Sequence, residues 1–220
     1  MLRNIALFAT FISLPLLPVY AQQKDDDDPV AAAKKVQTPQ SVLRMAGEIR
    51  KQIVSLSEYG VFDDIGFQIK DYSVTLKGDA SRPTLKDAVE RVTKKVEGVE
   101  KVINQIEVLP LSPNDDRIRA RVYAAIYFHP MLSRYNPGRG VPVSLSPGRM
   151  SMGITNDPPF GFHAMHIVVK NGNVRLEGVV DNEMDKQVAG IQANGVGGVF
   201  SLENHLNILE GAKPSKGKKK

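Results

Sequence analysis

Paired imidazoles, runs of carboxylates and clustered cations are what can do chemistry in a sequence, and this chain has all three. His163-Ala-Met-His166 sets two imidazoles three positions apart. If the pair opens a strand, the rings face opposite sides and cannot share one ion in the usual way. His129 falls on an apolar helical stripe, and His205 falls on the outer side of the last strand. With no cysteine and no carboxylate at ligand spacing, no metal site is expected. Asp25 to Asp28 are four consecutive carboxylates without the turn residues or spacing of a calcium loop, and read as a solvated charge run. No G-x-S-x-G nucleophile signature and no acid–base constellation is present. The chain is therefore expected not to be an enzyme, and to use no cofactor and no small-molecule substrate.

The cations remain. Lys213, Lys216, Lys218, Lys219 and Lys220 crowd the C-terminus. Arg134, Arg139 and Arg149 lie in a stretch rich in proline and glycine, where Tyr135-Asn-Pro-Gly-Arg-Gly140 and Ser146-Pro-Gly-Arg149 offer turn signals. Neither turn follows a strand or leads to the lysine and hydroxyl of a phosphate loop. Both groups of cations suit attraction to an anionic membrane surface or a partner. The 29 basic side chains, less Arg3 and the five tail lysines, leave 23 against 24 acidic ones. The body is nearly neutral and its basicity is an appendage, which argues against a nucleic-acid-binding face.

Any element that positions these groups is written twice. Ile65 to Leu109 aligns without a gap on Met165 to Leu209, one hundred positions on, with ten of forty-five residues identical. In the second copy Ile167 to Lys170 and Val174 to Val180 flank Asn171-Gly172, a strong hairpin signal. In the first, Asp71-Tyr72 occupies the turn, a poorer pair that leaves the register less certain. Val74 and Leu76 share one parity and Thr75 and Lys77 the other, so one face is buried.

After Gly78 and Gly178 the period changes to 3.6. Leu85, Ala88, Val89, Val92 and Val96 form a helical stripe, and Gly98 and Gly198 stand where left-handed residues would end the helices. The second stripe is read through Met184, Val188 and Ile191, with Gly190 costing roughly 1 kcal/mol against alanine. A last strand follows, Lys101 to Leu109 and Ser201 to Leu209, with Val102, Ile106 and Val108 matching Leu202, Leu206 and Ile208 on one face. Asn104 and Asn204 have that inward parity, and their amides are expected to bond nearby backbone. A helix precedes each copy: Ser41 to Ser57, with Met45, Ile49 and Ile53 on its stripe, and Asp115 to His129, with Ile118, Val122 and Ile126. The fold class is α+β: two tandem αββαβ domains, each a three-stranded mixed sheet covered on one face by two helices.

Val74-Thr-Leu-Lys-Gly78, then Gly98-Val99, then Val102-Ile-Asn104-Gln-Ile106-Glu-Val108 resembles the BON domain, and the second copy repeats the pattern through Gly178, Gly198 and Asn204. The resemblance covers about residues 40–110 and 114–210. It implies an envelope module that binds phospholipid surfaces or other envelope components, active in envelope or osmotic stress maintenance, with no catalytic residues.

The remaining segments are read from composition. Residues 1–21 carry Arg3, an apolar run and Val19-Tyr20-Ala21, the pattern of a cleavable signal peptide, so the protein is expected to be periplasmic or otherwise exported. Residues 22–40 read as a disordered linker, 41–110 as the first domain and 114–210 as the second. Residues 211–220 are the lysine-rich tail. Pro110 to Asn114 is a short, stiff connector. The insert at about 130–162 is either a partner-binding loop or a solvated insertion. The expected function is attachment to phospholipid or envelope surfaces. The alternative is a protein-interaction or chaperone-like periplasmic module using the insert.

Overall fold

The computed structural model describes residues 38–137, 154–155, 158–159 and 161–209. Residues 1–37, Arg139, Arg149, most of the insert and the lysine-rich residues 211–220 lie outside the described residues. The first repeat runs α1 (Pro39–Val54), β1 (Asp64–Lys70), β2 (Ser73–Ala80), α2 (Pro83–Thr93), β3 (Lys101–Asn104) and β4 (Glu107–Val108). The second runs α3 (Pro113–Tyr127), β5 (Met165–Lys170), β6 (Asn173–Val180), α4 (Glu183–Asn194), β7 (Ser201–Asn204) and β8 (Asn207–Ile208).

Helix starts follow their caps. Thr38 and Ser41 exchange side-chain and backbone hydrogen bonds at the head of α1, and Ser112 Oγ accepts from the Asp115 N–H at the head of α3. In each repeat the middle strand pairs antiparallel with the hairpin partner before it and parallel with the strand after α2 or α4. The sheets are therefore mixed, with two helices each.

The two hairpins share one register: Lys70 faces Ser73 and Lys170 faces Asn173. Asp71 and Tyr72 both adopt positive φ, as Asn171 and Gly172 do. The repeat thus imposes on the poorer pair the turn that Asn-Gly forms readily. The second turn is also clamped, because Asp115 accepts from the Asn171 and Gly172 N–H groups at 2.9 Å each. Gly78 and Gly178 are required where they stand. Each has positive φ, and a Cβ there would lie 2.0 Å from Asp64 O or 2.1 Å from Ala164 O.

Four expectations need correction. The last strand is broken: β3 and β4, like β7 and β8, are separate pieces, and Asn104 Oδ1 and Asn204 Oδ1 accept from the Ile106 and Leu206 N–H groups across the break. The break upsets the parity, so Leu109 rather than Val108 is buried, and Ile208 is exposed. Gly98 and Gly198 do not end the helices. They have positive φ one further turn on, packed beside Met45 and Ile118. The stripe of α4 is rotated: Asp185, Ala189 and Ala193 are buried, while Met184 and Ile191 are 57% and 68% exposed.

Each repeat has its own core, and the first contributes to that of the second. Val61 and Phe62, from the connector between α1 and β1, are buried with Ile118, Tyr123, Ile167 and Val169 of the second repeat. Burying a phenylalanine in this way contributes about 2–3 kcal/mol, which ties the halves together.

Candidate functional site

The site lies where the repeats meet. Its local origin is the segment Glu58–Asp63, which leaves α1 and turns back before β1. Asp63 holds that turn. Its carboxylate accepts from the Gly60 N–H at 2.8 Å and the Ser81 N–H at 2.6 Å, and burial pushes its pKa up against those bonds. The turn presents Tyr59, Gly60 O and Val61 O to the second repeat. Ile167 N–H donates to Val61 O at 2.8 Å. His166 Nδ1 lies 3.2 Å from Gly60 O, and its Nε2 lies 3.4 Å from the Tyr59 hydroxyl. A carbonyl only accepts, so Nδ1 carries the proton and Nε2 accepts from Tyr59.

Burial governs the electrostatics here. It lowers the pKa of His166, with Asp64 opposing. It lowers His163 to about 4, and it raises Tyr59. His163 is packed against Tyr123 and Tyr127, and its Nε2 is 3.3 Å from the Tyr123 hydroxyl. Arg175 reaches from the second repeat to Asp79 at 2.5 Å and Asp64 at 3.4 Å of the first. Lys170 pairs with Glu107 across the same boundary.

Tyr59, Asp64, His163 and His166 line a cleft of about 340 Å³ between α1 and β1. Ile53, Val54 and Phe67 form its apolar wall, and Arg50 stands beside them. Phe162, His163 and Val179 close it from the second repeat. A second hollow of about 410 Å³ adjoins it past Tyr59, with Arg82 and Pro158 on its rim. The histidine pair is thus not split by strand alternation. The strand starts at Met165, and both rings line both hollows. Among the described residues no three histidine or carboxylate side chains are placed to hold a metal ion. An apolar cleft with a few polar points is suited to binding.

The other residues singled out in the sequence lie elsewhere. Asn104 Nδ2 donates to Lys86 O at 3.2 Å and to Glu90 at 2.9 Å, and Asn204 Nδ2 donates to Lys186 O at 2.8 Å. Both amides tie the broken strand to the helix and are remote from the cleft. Arg134 pairs with Asp181 at 2.9 Å and with Asp185, so its guanidinium is engaged within the chain. Arg50, Tyr59, Val61, Phe62 and Arg175 carried no motif. The only signal for Tyr59, Val61 and Phe62 was an aromatic and apolar run, Tyr59-Gly-Val-Phe62, in a connector where solvated residues are the rule; Arg50 and Arg175 had none.

Among curated proteins no significant match is found. Two solved structures of CdsD, a structural protein of the type III secretion system of Chlamydia trachomatis, are similar to this chain, one of them its C-terminal domain. They are 12% and 11% identical, cover 76% and 79% of this chain and 92% and 100% of their own, and give TM-scores of 0.24 and 0.23, too low to support an argument. The BON domain model matches residues 46–110 and 154–210. Those two stretches fall one in each structural repeat, the second beginning after α3, and together make up more than half of the sequence, so the chain belongs to the BON domain family.

Proposed function

We propose that the protein is exported through residues 1–21 and attaches to anionic phospholipid or another surface of the bacterial envelope, without catalysing a reaction. Membership of a non-catalytic domain family supports a non-enzymatic, envelope-associated role. The observation that carries the surface reading is the distribution of charge: a near-neutral body with five lysines in its last eight residues. Each lysine near an anionic bilayer contributes on the order of 1 kcal/mol, screened by salt. Ile208 and Leu209, the last described residues, are exposed, and α4 turns Met184 and Ile191 to solvent. Exposed apolar groups and a cationic segment are the pair that interfacial binding uses. No helix among the described residues is long and apolar enough to cross a membrane.

Co-sedimentation with vesicles containing anionic phospholipid, at low and high salt, tests this. Deleting residues 213–220 is expected to weaken binding at low salt and to leave the melting curve unchanged. Equal binding by both forms would reduce the tail to a solubility device. The second reading, a protein-interaction module working through the insert, is favoured by the exposure of Met131 and Phe162. Capture of an envelope protein that is lost on shortening the insert, with no vesicle binding, would establish it.

A further inference from the structure

In a hairpin closed by a two-residue turn, the pair flanking the turn exchanges both main-chain hydrogen bonds, and alternate residues point their N–H and C=O groups outward. The flanking pairs are Lys70–Ser73 and Lys170–Asn173. Ile65, Phe67 and Ile69 of β1, and Met165, Ile167 and Val169 of β5, therefore turn their main chain to the outer edge. On β5 that edge is occupied. Ile167 N–H donates to Val61 O at 2.8 Å, Arg119 Nη2 donates to Val169 O at 2.6 Å, and the Tyr127 hydroxyl donates to Met165 O at 2.5 Å. On β1, among the described residues, the outward groups of Ile65, Phe67 and Ile69 have no partner.

The first helices of the two repeats explain the difference. Met45, Ile49 and Ile53 of α1 match Ile118, Val122 and Ile126 of α3 in spacing and burial. By that alignment Ala46 stands where Arg119 is, Arg50 where Tyr123 is, and Val54 where Tyr127 is. The side chains that seal β5 are missing beside β1. What remains is the cleft between α1 and β1, and Ile65, Phe67 and Ile69 are only partly buried while Met165, Ile167 and Val169 are fully buried.

We propose that the outer edge of β1 binds an extended peptide by strand addition, taking an aromatic side chain of that peptide into the adjoining cleft. The occupant's chemistry is read from the opposite repeat, where β5 and α3 hold Val61–Phe62 with a carbonyl on the edge and an aromatic ring in the core. Asp63 and Asp64 follow that pair in sequence. Arg50 is exposed and has no ion-pair partner among the described residues, so it stands ready for an acidic residue beside the ring. The chain's own counterpart of Phe62 does not fill the space, for Phe162 remains 64% exposed at its mouth. An unpaired edge beside side-chain pockets is what strand addition requires.

The probe is a labelled peptide, Glu-Tyr-Gly-Val-Phe-Asp-Asp, the sequence of residues 58–64, titrated into the full chain and followed by anisotropy. The full chain is expected to bind it saturably, with amide shifts concentrated on Ile65, Phe67 and Ile69. Val54→Tyr installs the side chain that the second repeat already carries at this place, so the fold is expected to persist, which a melting curve checks. It should weaken binding at least about tenfold by filling the cleft. Replacing the peptide's phenylalanine by aspartate should abolish binding whatever the variant does. No saturable binding at about 1 mM peptide, or shifts confined to other residues, would overturn the proposal. A dimer of the chain that Val54→Tyr dissociates, with no peptide bound, would also overturn it and give the edge to a second copy.

Discussion

Phe62 and Phe162 occupy the same place in two copies of one fold, yet the first is 1% exposed and the second 64%. The first repeat lends Val61–Phe62 to the groove between α3 and β5. The second returns its loop toward the groove between α1 and β1 without filling it. The difference lies in the helices. Arg119, Tyr123 and Tyr127 close the second groove, and Ala46, Arg50 and Val54 leave the first open. A duplicated module can thus keep its sheet, turns and glycines while one copy becomes a structural dock and the other keeps a binding surface. The second repeat is also an incomplete core on its own, since two of its core residues belong to the first.

The comparison breaks most visibly at Phe62. Phe62→Ala should cost about 3–5 kcal/mol, read by chemical denaturation. The loss should fall on the second repeat, with amides of β5 exchanging faster. Phe162→Ala, at the equivalent position, should change stability by less than about 0.5 kcal/mol. Similar costs for the two would mean that the exposure difference is not energetic.

Acidification is next in size. Burial holds His163 at about 4, against 6.5 for an ordinary histidine. The unfolded chain takes up this proton more readily, so the contribution is complete above 6.5 and is lost as the pH falls toward 4. The loss is up to about 3 kcal/mol. Asp63 and Asp64, raised by burial, act in the opposite sense as the pH falls. The clean quantity is therefore the difference between wild type and His163→Phe, whose unfolding free energy should vary less between pH 6.5 and 4. Parallel pH profiles would contradict the burial of the imidazole.

The smallest contrast is between two helical glycines. Gly47 of α1 has nothing within 4 Å of where a Cβ would stand, so Gly47→Ala should stabilise by up to about 1 kcal/mol. A Cβ on Gly190 would lie 2.8 Å from Asn204 Nδ2. Gly190→Ala should therefore gain nothing, because the helix propensity is offset by loss of the bond from Asn204 to Lys186 O, worth about 1 kcal/mol. Equal gains in melting temperature at both sites would dismiss this role for Gly190.

Sheet, turns and hinge glycines were legible because alternation, the Asn-Gly signal and the hundred-residue offset all bear on the same backbone. The offset also had more to tell about α4 than hydrophobicity did. Asp185 stands where Leu85 stands, and it is buried as Leu85 is. Reading apolar residues as the inner face chose Met184 and Ile191 instead. A carboxylate can sit there because Tyr135, far off in sequence, donates to it at 2.7 Å and Arg134 pairs with it. The cleft was not legible, because nothing local marks Val61-Phe62 as core residues of another repeat. The break after Asn104 was hidden for a similar reason, since the side chain that bridges it also satisfies strand alternation.

Phe67 and Ile167, one hundred positions apart, test the account most directly through amide hydrogen exchange in the intact chain. Ile167 N–H is bonded to Val61 O and buried, while Phe67 N–H points from an edge where it has no hydrogen-bond partner among the described residues. The account predicts a strongly protected Ile167 amide and a Phe67 amide exchanging at least about a hundredfold faster. Equal protection of the two, or a Phe67 amide slower than that of Ile167, would contradict it.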